Sequence, residues 1–295
     1  MVEWRPNPGP QTDFLRTNTF EVLFGGAAGG GKSESLLVAA LQYVHVPRYR
    51  ALILRKSFKE LQRTIIERSR QLLTGHATYN ENNHEWRFPS GAVLEFGYLK
   101  RDTEVHRYQS AEYQYVGFEE VTTLPTAYPY VYMMSRIRGV PEDPKPPRAT
   151  TNPGGVGAPW VMQRFAPWLY QPGYYTDEYD GPYADPNERL WFARLDGVDT
   201  PIDPRTEIEC RICGAVWCCS KAAPPSPLDE RRKPLCTHVM ARSRMFIPSA
   251  LEDNPYLAND GEYLGNLQAQ DPLTYKQLRE GDWLTRPSPG LFFKR

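Results

Sequence analysis

Gly26-Ala27-Ala28-Gly29-Gly30-Gly31-Lys32-Ser33 reads G-x-x-x-x-G-K-[ST] without a gap. A glycine-rich turn lets consecutive backbone N–H groups converge on the β- and γ-phosphates of a nucleoside triphosphate with no Cβ in the way. Lys32 adds a positive charge there, and the Ser33 hydroxyl is of the type that ligates Mg²⁺. The flanks agree. Glu21-Val22-Leu23-Phe24 has the pattern of a short buried strand, and residues 34–43 that of a helix whose N-terminus faces the phosphates. Gly26, Gly29, Gly30, Gly31, Lys32, Ser33 and Glu34 are therefore the expected phosphate-binding set, against the plainer alternative of a glycine turn without function.

The chain of 295 residues carries 35 Lys and Arg against 35 Asp and Glu, a formal net charge of zero. That length holds one large or two ordinary domains around a substantial core. A nucleic-acid partner would have to be met by a local basic face, because the surface as a whole is not basic. No apolar run approaches a membrane span, and the N-terminus lacks the basic-then-apolar pattern of a signal peptide; a soluble, cytosolic protein without a membrane partner is expected.

Upstream of the loop, Gln11 could present its amide to the donor and acceptor edges of adenine, or could be an ordinary polar residue of an N-terminal loop. Downstream, Ala51-Leu52-Ile53-Leu54 is of strand type and residues 58–73 form an amphipathic helix. Arg55, Lys56, Lys59, Arg63, Arg68 and Arg70 concentrate positive charge there, as a solvated helix face or as a phosphate-contacting surface. Residues 85–99 read as a β-hairpin with a Pro/Gly turn. The next apolar strand, Tyr113 to Phe118, ends in Glu119-Glu120. After a phosphate loop, two acids at a strand end have a use: Glu119 for the Mg²⁺ shell and Glu120 to orient the attacking water. Arg136 and Arg138 follow closely and are finger candidates for charge developing on a transferred phosphoryl group. Arg148 to Thr151 makes another strand that stops at Asn152-Pro153-Gly154-Gly155, placing Thr150, Thr151 and Asn152 beside the γ-phosphate, or else merely capping a turn.

In this order the features resemble the ATPase half of tailed-bacteriophage large terminase subunits, motors that drive double-stranded DNA into empty capsids. The likeness is carried by Pro8-Gly9-Pro10-Gln11, the loop itself, Leu52 to Lys56, and Tyr108-Gln109-Ser110 ahead of Val116 to Glu120. It continues through Ser135 to Arg138, Thr151 to Gly155 with Trp160 and Arg164-Phe165, Phe246 to Pro248, Asp253-Asn254-Pro255, Tyr263-Leu264 and Gly281-Asp282-Trp283. It implies an α/β P-loop NTPase (ASCE/RecA-like) fold, a mainly parallel sheet flanked by helices, with a small C-terminal helical lid and an inserted Cys-rich loop. The implied division is an ATPase domain over 1–243, with the insertion at about 196–242, a helical lid over 244–285, and the start of a missing nuclease domain at 286–295. The implied activity is hydrolysis of ATP with Mg²⁺, coupled to translocation of double-stranded DNA into the procapsid in the host cytoplasm, with no nuclease activity from this chain. The implied partners are the portal protein, the small terminase subunit and further copies in a homo-oligomeric ring, a pentamer.

This sequence departs from the family in having Glu119 where Asp is common and Ala27 and Ala28 where an arginine often sits. The position of the trans-acting arginine in some members aligns with Gln109, so Arg107, Arg136 and Arg138 compete for that role, with the Arg136/Arg138 pair preferred. A helicase-like DNA-dependent ATPase of repair or recombination shares the glutamine, loop and paired acids. A small-molecule kinase and a non-catalytic nucleotide-binding scaffold are the rivals from other classes.

All five cysteines fall between Cys210 and Cys236, an odd number crowded into one segment, which argues against a disulfide framework and for metal or free thiols. Cys210-Arg211-Ile212-Cys213-Gly214 has the form of a zinc knuckle, and Cys236 and His238 could close a Cys₃His site. Cys218 and Cys219 are alternative ligands. The segment has few apolar residues, so a structural Zn²⁺ would serve as its staple.

Overall fold

Val22-Leu23-Phe24 is apolar without alternation because the strand that contains it is covered on both faces. The computed structural model describes residues 4–286 apart from 140–146, 174–178, 196, 222–223, 237 and 239. Its strands in chain order are β1 (Glu21–Gly26), β2 (Arg50–Arg55), β3 (Thr78–Asn80), β4 (Glu85–Arg87), β5 (Val93–Tyr98), β6 (Tyr115–Phe118), β7 (Pro147–Thr151), β8 (Leu190–Leu195), β9 (Val198–Pro201), β10 (Glu207–Glu209), β11 (Val216–Cys218) and β12 (Arg242–Ser249). Ten of these form one sheet in the order β3-β4-β5-β2-β6-β7-β1-β12-β8-β9. From β5 to β12 every neighbouring pair is parallel, and the strands at both margins turn antiparallel.

The period of two along β1 divides its side chains between two apolar clusters. Leu23 joins Leu52, Phe118, Tyr130 and Phe165 on one face. Val22 and Phe24 join Phe14, Leu36, Leu37 and Ile53 on the other. Helices Pro10–Arg16 and Lys32–Leu41 supply the second face, and Ala158–Arg164 belongs to the first. The expected helix at 58–73 is present but contains a π turn at Gln62–Ile66.

Domain division differs from the expectation at one point. Arg244 to Ser249 belongs to β12, which pairs with β1 along six residues, so a boundary at 243/244 would cut a central strand. Met245-Phe246-Ile247 is an apolar run paired with Val22-Leu23-Phe24 of β1, and the residues just before it, 242–244, pair with β8 on the other side. The helical segments begin only afterwards, at Pro255–Ala258, Gly261–Gln268 and Pro272–Tyr275, each capped by a side-chain oxygen, from Asn254, Asp260 and Asp271. The expected domain start at 286–295 lies outside the described residues, save Arg286.

Glu21, at the start of β1, is 2% exposed and accepts from Arg164 Nε at 2.6 Å and Arg244 Nε at 2.9 Å. Asp199 on β9 pairs with the same two arginines, at 3.1 and 2.6 Å. Burial works to raise the Glu21 carboxyl, but Arg164 and Arg244 outweigh it and hold it below its ordinary value of 4.5. This network joins β1, β12, β9 and the helix Ala158–Arg164. Glu21→Gln keeps the volume but leaves two buried guanidinium groups short of a charge, so a loss of about 3–5 kcal/mol is expected in urea unfolding at neutral pH. Since the folded carboxyl titrates below 4.5, its contribution is whole above that pH and fades as the pH falls further, so the gap between variant and wild type should narrow on acidification.

Candidate nucleotide site and metal centre

β1 ends in the loop, and the loop runs into the helix Lys32–Leu41 through Gly31, which sits in the left-handed region at φ 79°. Gly26 and Gly29 also have positive φ, and close approach forbids a side chain at Gly30. An added Cβ would lie 2.0 Å from Ser249 Oγ at Gly30 and 1.8 Å from Gln11 Nε2 at Gly31. The loop is tied at its entrance by Ala27 N–H donating to Ser249 O at 2.7 Å and Ala28 N–H to Leu278 O at 2.6 Å. Asn254 Nδ2 donates to Gly29 O at 2.7 Å, so the Asp-Asn-Pro element braces the loop from the lid side. Beside it opens a cleft of about 550 Å³ lined by Gly25, Gly26, Ser249, Asp253 and Trp283, within the size range of small-ligand sites.

Lys32 is buried, and its ammonium donates to the carbonyls of Gly26, at 3.4 Å, and Ala27. Burial pulls its pKa down to about 8, against the opposing pull of Glu120 and Asp253. Gln11 does not present a free amide to a base. Its Nε2 donates to Gly31 O at 3.2 Å and its Oε1 accepts from Asn7 N–H at 2.8 Å, so one end braces the loop and the other the N-terminal segment. Glu34 also turns away from the phosphates: Arg68 holds it through a forked pair, Nε at 2.8 Å and Nη2 at 2.7 Å.

β7 lies between β1 and β6, so the loop, the paired acids and the Asn-Pro-Gly-Gly turn leave the same edge of the sheet. Glu119 is 2% exposed, and the Ser33 hydroxyl stands on the side from which it lowers that carboxyl. Burial pushes its carboxyl above the ordinary range, although Arg55 Nη1, at 2.7 Å, pulls the other way. Glu120 adopts φ 51°, ψ 55°, a left-handed conformation that costs a non-glycine residue about 1–3 kcal/mol and clusters at functional sites. Its carboxylate faces Thr151 Oγ1 and Asn152 N–H, each at 3.4 Å, and Asn152 Nδ2 at 3.5 Å. Thr150 instead donates to Phe118 O at 3.4 Å, inside the sheet.

These residues fit a phosphate chain with Mg²⁺. The cradle excludes a side chain at Gly30, the left-handed backbone disfavours one at Gly31, and a hydroxyl and a carboxylate that suit the metal, Ser33 and Glu119, lie on the same side of it. Asn152 Oδ1 is a buried acceptor without a hydrogen-bond partner, beside Glu120.

The finger candidates are not brought into this site. Tyr113 N–H donates to Arg136 O and Arg138 N–H to Tyr113 O, which fixes both arginines beside the start of β6. Glu119 follows Tyr113 by an extended stretch of about 20 Å at roughly 3.3 Å per residue. Arg107 lies nearer the edge that carries the loop, stacked 4.5 Å over the Tyr98 ring at the end of β5 and donating to Tyr98 O at 3.2 Å. Sequence reasoning missed Arg55 as a partner of Glu119, although its place at the end of a parallel strand was a signal for it.

The second centre lies in the insertion. Cys210, Cys213, Cys236 and His238 offer ligand atoms all within 4.8 Å of one another. Cys213 Sγ and Cys236 Sγ lie 3.2 and 3.3 Å from His238 Nε2. His238 Nδ1 meets Pro224 O at 2.5 Å, which fixes Nε2 as the nitrogen for a metal. Backbone N–H groups around the Cys213 and Ala215 turn lower the Cys210 and Cys213 thiols, which favours thiolates. Gly214 supplies the left-handed turn at φ 70°. Cys218 and Cys219 point elsewhere, to Pro204 O at 3.1 Å and Asp203 O at 3.2 Å. The donor set and its closeness suit a tetrahedral site of the zinc type.

Known structures superpose on almost all of this chain. The large terminase of a thermophilic bacteriophage matches with a TM-score of 0.56 and 12% identity, over 95% of this chain and 54% of that one. The same protein in complex with ATP-gamma-S matches at 0.55. The large terminase ATPase domain of Thermus phage P74-26 matches with a TM-score of 0.51 and 10% identity, over 95% of this chain and 94% of that one. The chain has the large-terminase ATPase fold. It spans about half the length of the first of these relatives, 54%, and nearly all of the isolated ATPase domain, 94%. No protein-family model and no curated protein matches the sequence. Within the terminase ATPase fold, Lys32, Ser33, Glu119, Glu120, Thr151 and Asn152 stand at the ends of β1, β6 and β7.

Protein purified without chelators is expected to hold about one equivalent of zinc, and under about half an equivalent would sink the assignment. Cys213→Ser and His238→Ala should lose the metal, whereas Cys218→Ser should retain it.

Proposed function

We propose that this chain is the ATPase domain of a phage large terminase, which couples ATP hydrolysis to translocation of double-stranded DNA into a procapsid. The observation that carries the reading is the meeting of Lys32, Ser33, Glu119, Glu120 and Asn152 at one sheet edge, in a chain with the terminase ATPase fold.

Gln11 and Asn254 hold the loop so that its amides converge on the phosphate chain. Lys32 would leave the carbonyls of Gly26 and Ala27 to meet the γ-phosphate, and Ser33 and Glu119 would hold Mg²⁺, which when bound would supply charge neutralisation on the phosphate chain. Glu120, aimed by the backbone and side-chain amides of Asn152, orients a water for in-line attack and draws its proton. Asn152 Oδ1 is placed to accept from that water, and the Asn-Pro-Gly-Gly turn then registers loss of the γ-phosphate. Gly154 lies against Gln277, since a Cβ there would be 2.5 Å from its Oε1, so the turn has a contact through which to move the lid.

Arg136 and Arg138 stand too far from their own site, so a finger from either would act on a neighbouring subunit; Arg107 is the favoured finger because it lies toward the edge that carries the loop. A finger from Arg136 or Arg138 would require a homo-oligomeric ring, and the packaging reading itself takes this ring to be a pentamer on the portal, with the small terminase subunit delivering DNA in the host cytoplasm. In the insertion, Cys210, Cys213, Cys236 and His238 hold a structural Zn²⁺.

Turnover of ATP, with and without double-stranded DNA, tests the reading. Wild type is expected to hydrolyse ATP in a Mg²⁺-dependent and DNA-responsive manner. Glu120→Gln should fall by about 10²-fold or more while still binding nucleotide, and Lys32→Ala should lose measurable turnover. Normal turnover by Glu120→Gln would remove the catalytic assignment.

A further inference from the structure

Arg55 is the last residue of β2 and Glu119 follows directly on β6, the strand paired with it in parallel. Glu119 N–H donates to Leu54 O at 2.8 Å, so the two side chains leave adjacent strands at the same level. Arg55 Nη1 then reaches Glu119 Oε2 at 2.7 Å, while its Nε donates to Glu60 Oε2 at 3.1 Å. The guanidinium side chain is 16% exposed and that of Glu119 only 2%. Thr64 Oγ1 lies 3.4 Å from the same Oε2, but it is 3.0 Å from Glu60 O, and its single proton goes to the nearer acceptor. The π turn at Gln62–Ile66 holds Thr64 in this position. Oε2 of Glu119 is thus spoken for chiefly by Arg55, and Ser33 approaches the same carboxylate from the loop side.

A glutamate has one more rotatable bond than an aspartate, and a metal ligand must be held in direction as well as in place. We propose that Arg55 is the positioning residue of the metal carboxylate: it fixes Oε2 of Glu119 so that the other oxygen is presented to Mg²⁺ beside Ser33. Glu60 anchors the far side of the guanidinium, so the chain Glu60–Arg55–Glu119 carries the direction from the helix 58–73 into the metal shell. The inference rests on the ATPase reading, and it assigns Arg55 to the metal and not to the phosphate.

The test compares Arg55→Gln and Arg55→Lys with wild type by two readouts. One is binding of a fluorescent ADP analogue at increasing Mg²⁺, and the other is Mn²⁺ uptake in the presence of ADP followed by electron paramagnetic resonance. Arg55→Gln is expected to raise the half-saturating metal concentration by about tenfold or more, with ADP-analogue affinity in EDTA unchanged. Arg55→Lys, which keeps the charge and loses the fork, should fall between, and it serves alone if the glutamine variant does not fold. An unchanged metal dependence in a folded variant, or a loss of affinity equally large in EDTA, overturns the proposal and moves Arg55 to a structural or phosphate-binding role. Wild type that shows no metal-dependent nucleotide binding would overturn the ATPase reading itself, and the proposal with it.

Discussion

Parallel pairing of β7 with both β1 and β6 is the constraint on which the site depends. Gly25 stands opposite Thr151, and Phe118 opposite Ala149, so three chain segments leave the sheet at nearly the same height. Parallel strands with helical crossovers put all their carboxyl ends on one edge, which is where open α/β sheets place ligands. The backbone ladder, more than any side-chain contact, brings Lys32 of one segment near Glu120 of another and Asn152 of a third. The ladder in turn requires both faces of β1 to be covered, which the two apolar clusters achieve.

Charge inside the sheet is handled at both ends of β1. At its start, Glu21 and Asp199 share Arg164 and Arg244, and that network ties the central strands to the margin from which the insertion departs. At the opposite edge, Glu119 and Glu120 are adjacent acids with Arg55 and Lys32 as the nearby cations. The first network matches its two acids with arginines, Arg194 joining Arg164 and Arg244 at Asp199, as suits a structural element. The second leaves a lowered lysine, a strained glutamate and an unpaired Asn152 oxygen, which are features of groups arranged for a ligand.

The Cys-rich insertion follows a different logic. Cys210, Cys213, Cys236 and His238 enclose a metal-sized space, with only a two-stranded hairpin and small apolar contacts around it. A metal held by these four would supply the fixed points that a core supplies elsewhere.

The sequence by itself determined the loop, the strand-borne acids, the Asn-Pro-Gly-Gly turn and the Cys210-x-x-Cys213 pair, because each depends on residue type at short spacing, whereas the gathering of Cys236 and His238 and the exclusion of Cys218 and Cys219 came from the structure. It also carried the resemblance that led to the fold. Only the tertiary structure decided which partners those residues take. Gln11 braces Gly31, Glu34 goes to Arg68, and Arg136 and Arg138 lie at the far end of β6. Arg55 meets Glu119 across 64 residues, and Arg244 of β12 meets Glu21 of β1 across 223. Such pairings are set by strand order and by which long side chains reach across it. Local periodicity contains no record of either, since strands adjacent in space are separated by whole helices in the chain.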